Sequence, residues 1–335
     1  MKRVFLFILV LVIANCGLHA AQPRISGGDT INITEAPWQV QLCLMRGEHE
    51  CRFHCGGIII APNFILTAKH SVEWHNLNHL RVIAGVTCQS EIDSSNVYYI
   101  SQIILHPDLG TDVYVDAALL QLSRNIIYDS NKQPVNFSSS ADNTLYDIGN
   151  LVRASGWGHT IPGISSLPDC LQAVDLNIIS NQDASVALQS NPFGWDRDLF
   201  DHEMAAAGSG NIRQGGCSGD SGGPLTIMTA TNEPVLIGIV KGGASGCLGS
   251  NEESPSIFVR VSHIRDWIES VICATPVYFT DETVIATTET VTSCGDIYVE
   301  NVEVKQAGQL ILEAEGNVRI EKNFKVELGS TLKIK

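Results

Sequence analysis

Basic residues are scarce in this chain: 21 Lys and Arg stand against 36 Asp and Glu over 335 residues, a formal charge of −15. Binding to a phosphate backbone needs clustered positive charge, so nucleic acid is not an expected partner. Long apolar runs are missing too. The one extended run, Val4 to Ala14 in "MKRVFLFILVLVIANCGLHAAQPR", falls short of the ~20 residues a membrane-spanning helix requires, and nothing later comes closer. No transmembrane helix is expected in the mature protein. Helical periodicity is nearly absent as well. With 44% hydrophobic and 17% charged residues, the chain suits one large globular domain plus an appendage, or two domains, rather than disorder.

What is present at the start is a secretory signal layout: Lys2 and Arg3, the apolar run, then small residues, with cleavage expected near Ala20. Lipidation at Cys16 is the alternative reading, and Asn15 is an unusual neighbour for it. Export implies an oxidising compartment, so Cys43, Cys51, Cys55, Cys88, Cys170, Cys217, Cys247, Cys273 and Cys294 are disulfide candidates. Their number is odd, so at least one stays free or pairs outside the chain. Cys43, Cys51 and Cys55 with His49 and His54 imitate a zinc site but lack a second closely spaced ligand pair. No metal and no cofactor is expected.

From Ile25 to Cys273, short runs rich in Val, Ile and Tyr ("PWQVQLCL", "GGIIIAPNFILTA", "HLRVIAGV", "DAALLQLS", "PVLIGIVKGG", "SIFVRV") are broken by Gly, Pro, Asn or Asp, the pattern of an all-β barrel or sandwich. Only Val261 to Ile272 repeats apolar residues at helical spacing, with Val261, Ile264, Ile268 and Ile272 on one stripe. The stretch 274–295 is threonine-rich and without Lys or Arg, as expected of a linker or peripheral extended segment. Alternation resumes in 296–335, where Val302 and Val304, Leu310 and Leu312, Val318 and Ile320, Phe324 and Val326, and Leu332 and Ile334 form two-apart pairs suited to a small solenoid or sandwich.

Chemistry concentrates in "GGCSGDSGGPL", Gly215 to Leu225, where Ser221 follows Asp220 among five glycines. Acyl transfer to a serine needs a base for its proton and a buried carboxylate to hold that base. His70 in "TAKHS" and Asp116 in "DAALLQL" are the candidates. "GDSGG" also satisfies the G-x-S-x-G elbow of α/β-hydrolases. Chain order resolves the ambiguity, because those enzymes place serine first and histidine last on alternating strands and helices. Taken singly, each of the three residues is more often a turn, cap or solvated group; His75, His79 and His106 lack supporting context and read as surface or structural.

"RISGG", "CGGIIIAPNFILTAKH", "DAALLQL", "SGWG" and "GCSGDSGGPL", in that order, make the segment resemble a chymotrypsin/trypsin-like serine protease. The resemblance implies an all-β fold of two six-stranded antiparallel β-barrels with a C-terminal helix, followed here by a small all-β appendage. It implies that Ser221 attacks the scissile carbonyl, His70 acts as base then acid, Asp116 orients His70, and the N–H groups of Gly219 and Ser221 form an oxyanion hole. It further implies a Cys217–Cys247 disulfide, and activation by cleavage between Arg24 and Ile25, which frees an amine to pair with Asp220. The expected organisation is a signal peptide 1–20, activation propeptide 21–24, peptidase domain 25–273, linker 274–295 and C-terminal module 296–335. That module resembles, in "NVRIEKNFKVELGSTLKIK", sorting modules of Bacteroidota proteins exported by the type IX route, which implies secretion or cell-surface machinery as a partner, beside an activating protease and a polypeptide substrate.

Several residues depart from the family pattern. The specificity pocket should be built from Gly215, Gly216, Gly243 and Ser256, with no carboxylate at Gly215 to neutralise a basic substrate side chain. A large apolar residue before the cut bond is expected, the basic-specific alternative resting on Glu252 and Glu253. Lys69 replaces a small residue and Lys241 a serine; either ammonium can pair with Asp116 and slow turnover, the simpler expectation being that both extend to solvent. Ser71 replaces the usual partner of Cys55, leaving Cys43, Cys51 or Cys88 to tie the histidine loop, and Gly242 replaces an aromatic residue on the substrate shelf. A secreted serine endopeptidase is the expected function; a protease-scaffold binding or adhesion protein and an esterase are the competitors.

Overall fold

The computed structural model describes residues 28–47, 50–108, 110, 113–139, 141–160, 167–191, 194–208, 215–243 and 255–335. After β1 (Asp29–Thr30), alternating apolar side chains curl six strands into a closed antiparallel barrel: β2 (Gln39–Arg46), β3 (Glu50–Ala61), β4 (Phe64–Thr67), β5 (Leu80–Ala84), β6 (Val97–Leu105) and β7 (Ala118–Leu122), in the order β2-β3-β4-β7-β6-β5. Val40, Leu42, Ile59, Ile65, Leu80 and Leu120 fill it. Closure leaves no bare edge strand.

A second six-stranded ring follows. β8 (Asn136–Phe137) leads to β9 (Leu151–Gly156), β10 (Gln172–Ile179), helix α1 (Asn181–Ser190), β11 (Glu203–Ala207), β12 (Pro224–Met228), β13 (Pro234–Gly242) and β14 (Ser256–Arg260). The ring runs β9-β10-β11-β14-β13-β12, and β12 returns to pair with β9. The fold class is thus the expected one. Helix α1 was not legible in the apolar pattern because it buries only Ala184, Ser185 and Leu188; its signal is the N-cap Ser180, which accepts from Asp183 N–H. Helix α2 (Val261–Ala274) buries Val261, Ile264 and Ile268 of the expected stripe, with its fourth member Ile272 partly buried, in a cluster that joins Ile58 and Phe64 of the first barrel to Ile239 and Val259 of the second.

The disulfides correct one expectation. Cys43 bonds Cys51 within the β2–β3 hairpin, Cys88 bonds Cys170, and Cys273 bonds Cys294, while Cys55 stays reduced and buried. None of these ties the histidine loop. Cys88–Cys170 instead staples one barrel to the other, reinforced by Thr87 O, which accepts from Leu171 N–H at 2.9 Å and Trp157 Nε1–H at 3.0 Å. Oxidation of Cys43 with Cys51 also removes two of the thiols that imitated a zinc site; His49 lies outside the described residues.

The segment 274–295, expected as a linker, carries β15 (Val277–Thr280), β16 (Thr283–Ile285) and β17 (Thr288–Ser293). They are the first turn of a three-sided parallel solenoid completed by β18 (Ile297–Glu300), β19 (Glu303–Lys305), β20 (Gln309–Ala314), β21 (Val318–Ile320), β22 (Lys325–Val326) and β23 (Thr331–Ile334). Its interior is Val284, Ile297, Val299, Val302, Val304, Leu310 and Leu312. At one corner Asp281, Asn301 and Asn323 stack with positive φ, Asn323 donating to Asn301 and Asn301 to Asp281. Parallel pairing across the turns, not visible in short polar runs, is what recruits the threonine-rich stretch. Among the described residues, no helix is long and apolar enough to cross a membrane.

Candidate active site

Strand β4 ends at Thr67, whose hydroxyl donates to Gly56 O at 2.8 Å, and the chain then tightens into a single 3-10 turn over Lys69–Ser71. That turn presents His70. Its backbone N–H donates to Asp116 Oδ1 at 2.8 Å, and its ring Nδ1 lies 2.7 Å from Asp116 Oδ2. An ionised carboxylate can only accept, so it fixes the proton on Nδ1 and leaves Nε2 as the basic nitrogen. Asp116 is buried, and enters just before β7, the strand paired with β4. Burial opposes the imidazolium, but the hydrogen bond and charge of Asp116 outweigh it, so His70 titrates above its ordinary value.

Ser221 approaches from the second barrel. Gly56 N–H donates to Ser221 O at 2.8 Å, and Gly222 N–H to Val240 O at 2.8 Å. Gly222 has φ +79°, and a Cβ there would fall 2.2 Å from Thr67 Oγ1 and 2.9 Å from Ala68 N. Only glycine allows the serine loop to lie so closely on the segment that leads into His70. The Ser221 hydroxyl has no hydrogen-bond partner among the described residues. His70 and Asp116 are therefore locked together, and the loop that carries Ser221 is docked by its backbone on the segment that leads into His70. Gly219, at φ +99°, and Ser221 share a further property: among the described residues, neither backbone N–H donates to any acceptor.

Asp220 points the other way. It is buried, accepting from Gly158 N–H and Cys217 N–H at 2.8 Å each, and desolvation pushes its carboxyl up to about 6 against those two hydrogen bonds. No cation faces it among the described residues. Arg24 and Ile25, the expected activation site, lie outside them. Cys217 is disulfide-bonded; its expected partner Cys247 is likewise outside the described residues, as are Glu252 and Glu253.

The expected pocket residues do cluster. Gly216 N–H donates to Ser256 Oγ at 2.9 Å, a Cβ on Gly215 would sit 2.5 Å from the same Oγ, and one on Gly243 would sit 2.9 Å from Pro255 O.

Both lysine expectations need correction, because neither ammonium pairs with Asp116 and neither extends to solvent. Lys69 Nζ donates to both oxygens of Asp108, at 2.8 and 2.7 Å, and Asp108 also accepts from Val115 N–H. Lys241 Nζ donates to Glu203 Oε1 at 2.6 Å, where Glu203 also receives a two-pronged bond from Arg197 at 2.7 and 2.8 Å. Desolvation resists ionisation of Glu203, but the two cations hold its carboxyl down at about 2. Sequence reasoning missed Glu203, Arg197 and Asp108 because a lone charge, whether at the start of a strand as Glu203 is or in a loop, carries no signal of what it will face. A buried ammonium in reach of a second carboxylate pairs there, so that His70 is the partner Asp116 keeps among the described residues.

Two closed antiparallel barrels, a histidine–carboxylate pair, and a glycine-rich serine loop docked on the segment that leads into the histidine point to a class: the serine hydrolases. A family model described as Trypsin matches residues 25–268. The chain is 32% identical to Trypsin alpha of Drosophila melanogaster over 250 residues, covering 74% of this chain and 87% of that protein. It is 30% identical to Trypsin delta of Drosophila erecta over 273 residues, 78% of this chain and 97% of that protein. The chain belongs to the trypsin family and is a serine endopeptidase.

Proposed function

We propose that this is an exported endopeptidase that works through an acyl-enzyme on Ser221. His70 Nε2 takes the Ser221 proton as Oγ attacks the scissile carbonyl, and Asp116 stabilises the imidazolium that forms. The developing oxyanion is received by Gly219 and Ser221 N–H, which donate to no acceptor among the described residues. His70 then protonates the leaving amine, and a water, activated by the same nitrogen, hydrolyses the ester. The observation that carries this reading is the two-point grip of Asp116 on His70, by backbone and ring, directly beside the docked serine loop.

Export through residues 1–20 is followed by cleavage after Arg24, and the amine of Ile25 pairs with Asp220. The support is a buried carboxylate held, among the described residues, by two amides. The pocket of Gly215, Gly216, Gly243 and Ser256 carries no carboxylate among these four residues, which favours large apolar side chains before the cut bond. Peptidase domain 25–273 is joined to a C-terminal module that serves sorting or attachment at the cell surface, supported by the alternating run and late Gly329. The binding-scaffold alternative loses its motive with both lysines paired away from Asp116.

The test is a fluorophosphonate probe on the chain cut after Arg24. Labelling that vanishes in Ser221→Ala and His70→Ala is expected; no labelling before or after the cut would overturn the reading.

A further inference from the structure

The solenoid keeps its side-chain register from turn to turn, so interior positions of the second turn have counterparts in the third. Val299 pairs with Ile320, Val304 with Val326 and Leu312 with Ile334. The three second-turn members are 0% exposed, whereas Ile320 and Val326 are 39% and Ile334 is 52% exposed. The apolar interior runs out to an open end. There, among the described residues, β21, β22 and β23 are each the outermost strand of their sheet. Glu321, Glu327 and Lys335 N–H donate back to Val299, Val304 and Leu312 O, so the alternate backbone groups of Ile320, Val326 and Ile334 point away from the second turn. An apolar row beside unspent backbone donors and acceptors is a template for a further strand, and stacked-turn proteins need such an end covered.

Charge says what kind of cover fits. The first turn, 277–293, carries Asp281, Glu282 and Glu289 and no Lys or Arg, while the third, 318–335, carries Arg319, Lys322, Lys325, Lys333 and Lys335 against Glu321 and Glu327. In a chain of net charge −15 this is a local reversal of sign. Three of the bases already seat on acids of the second turn: Lys322 on Glu300 at 3.2 Å, Lys325 on Glu303 at 3.1 Å and Lys335 on Glu313 at 2.8 Å. Each of these lysines is still more than half exposed, free to take a second acid from the open side. A second copy stacked end on end would set base against base, which is unfavourable.

We propose that the open end of the solenoid docks an acidic, extended segment of a partner protein, laid down as a further turn, with its carboxylates on Lys322, Lys325 and Lys335. Main-chain hydrogen bonds to the free edge supply affinity, and the basic row selects the sequence. The proposal gives a partner chemistry to the attachment role of the C-terminal module and rests on that reading.

The test uses the full-length Ser221→Ala chain and, as probe, a fluorescent peptide with the acidic sequence of the second turn, Ile297 to Ala314, read by anisotropy. Saturable binding that weakens with salt is expected. Lys322→Glu with Lys325→Glu should weaken it on the order of tenfold, while Lys322→Arg with Lys325→Arg keeps it. Ile320→Pro, which removes an outward N–H and spares the bonds to the second turn, should weaken it as well. The proposal is overturned if the peptide does not bind, if the proline variant binds it unchanged, or if labelled dextran sulfate binds as tightly, which would mark a general polyanion site. Self-association of the chain through this end, seen by sedimentation and lost in the proline variant, would overturn it too, since a second copy would then be the cover. Retention of the exported chain at the cell surface is a separate readout: its loss with peptide binding intact counts against the attachment role and not against this edge.

Discussion

Lys241 and Glu203 meet at 2.6 Å, with the carboxylate fully buried and the lysine nearly so. Removing the acid strands two cations, and breaking such a buried arrangement costs about 3 kcal/mol or more. Glu203→Ala should lower Tm by roughly 6–12 °C, read by calorimetry. The pH dependence has a definite sign: the folded carboxyl, at about 2, lies below its ordinary 4.5. Its contribution is complete above pH 4.5 and is lost as pH falls toward 2, a loss that the alanine variant should not show.

Asp220 has the opposite sign. Its folded carboxyl, raised to about 6 from 3.8, resists an ionisation that the unfolded chain undergoes freely. In the uncut chain, stability should fall by about 2–3 kcal/mol as pH rises from 4 to 7. Asp220→Asn should flatten that profile and raise Tm at pH 7, yet abolish activation by cleavage after Arg24. Thermal melts across pH, paired with activity assays, check both.

For His70, the acid limb of kcat/KM should lie above the ordinary imidazole value of 6.5, since His70 must be neutral to take the serine proton. Asp116→Asn removes the group that raises it. The limb should move to lower pH while kcat falls about ten-thousand-fold at neutral pH, as for loss of the carboxylate in other triads.

Ser71 shares a side-chain hydrogen bond with Cys55, whose thiol burial pushes up to about 12. Ser71→Cys should form a disulfide with it and stabilise the histidine turn by about 2–4 kcal/mol. Thiol titration would show no free cysteine, and Tm should rise; an unchanged thiol count would show the two side chains cannot reach bonding geometry.

Gly222→Ala tests the close docking of the serine loop. Its Cβ would collide with Gly56 O and Thr67 Oγ1 at a φ that alanine rarely adopts. A loss of more than about 1 kcal/mol of stability is expected, with a larger loss in kcat than in KM.

The punctuated Val- and Ile-rich runs made an all-β barrel or sandwich legible in the sequence, and the motifs around His70, Asp116 and Ser221, in that order, carried the family resemblance that implied two barrels and a candidate site between them. Those features depend on neighbours along the chain and on side-chain period, which a linear text preserves. Tertiary structure alone decided that Lys241 and Lys69 find Glu203 and Asp108, that Cys88 reaches Cys170 across the barrels, and that 274–295 joins a solenoid. Each is a contact between segments some 20 to 80 residues apart, where burial forces every charge and strand edge to find a partner that its own neighbours do not name.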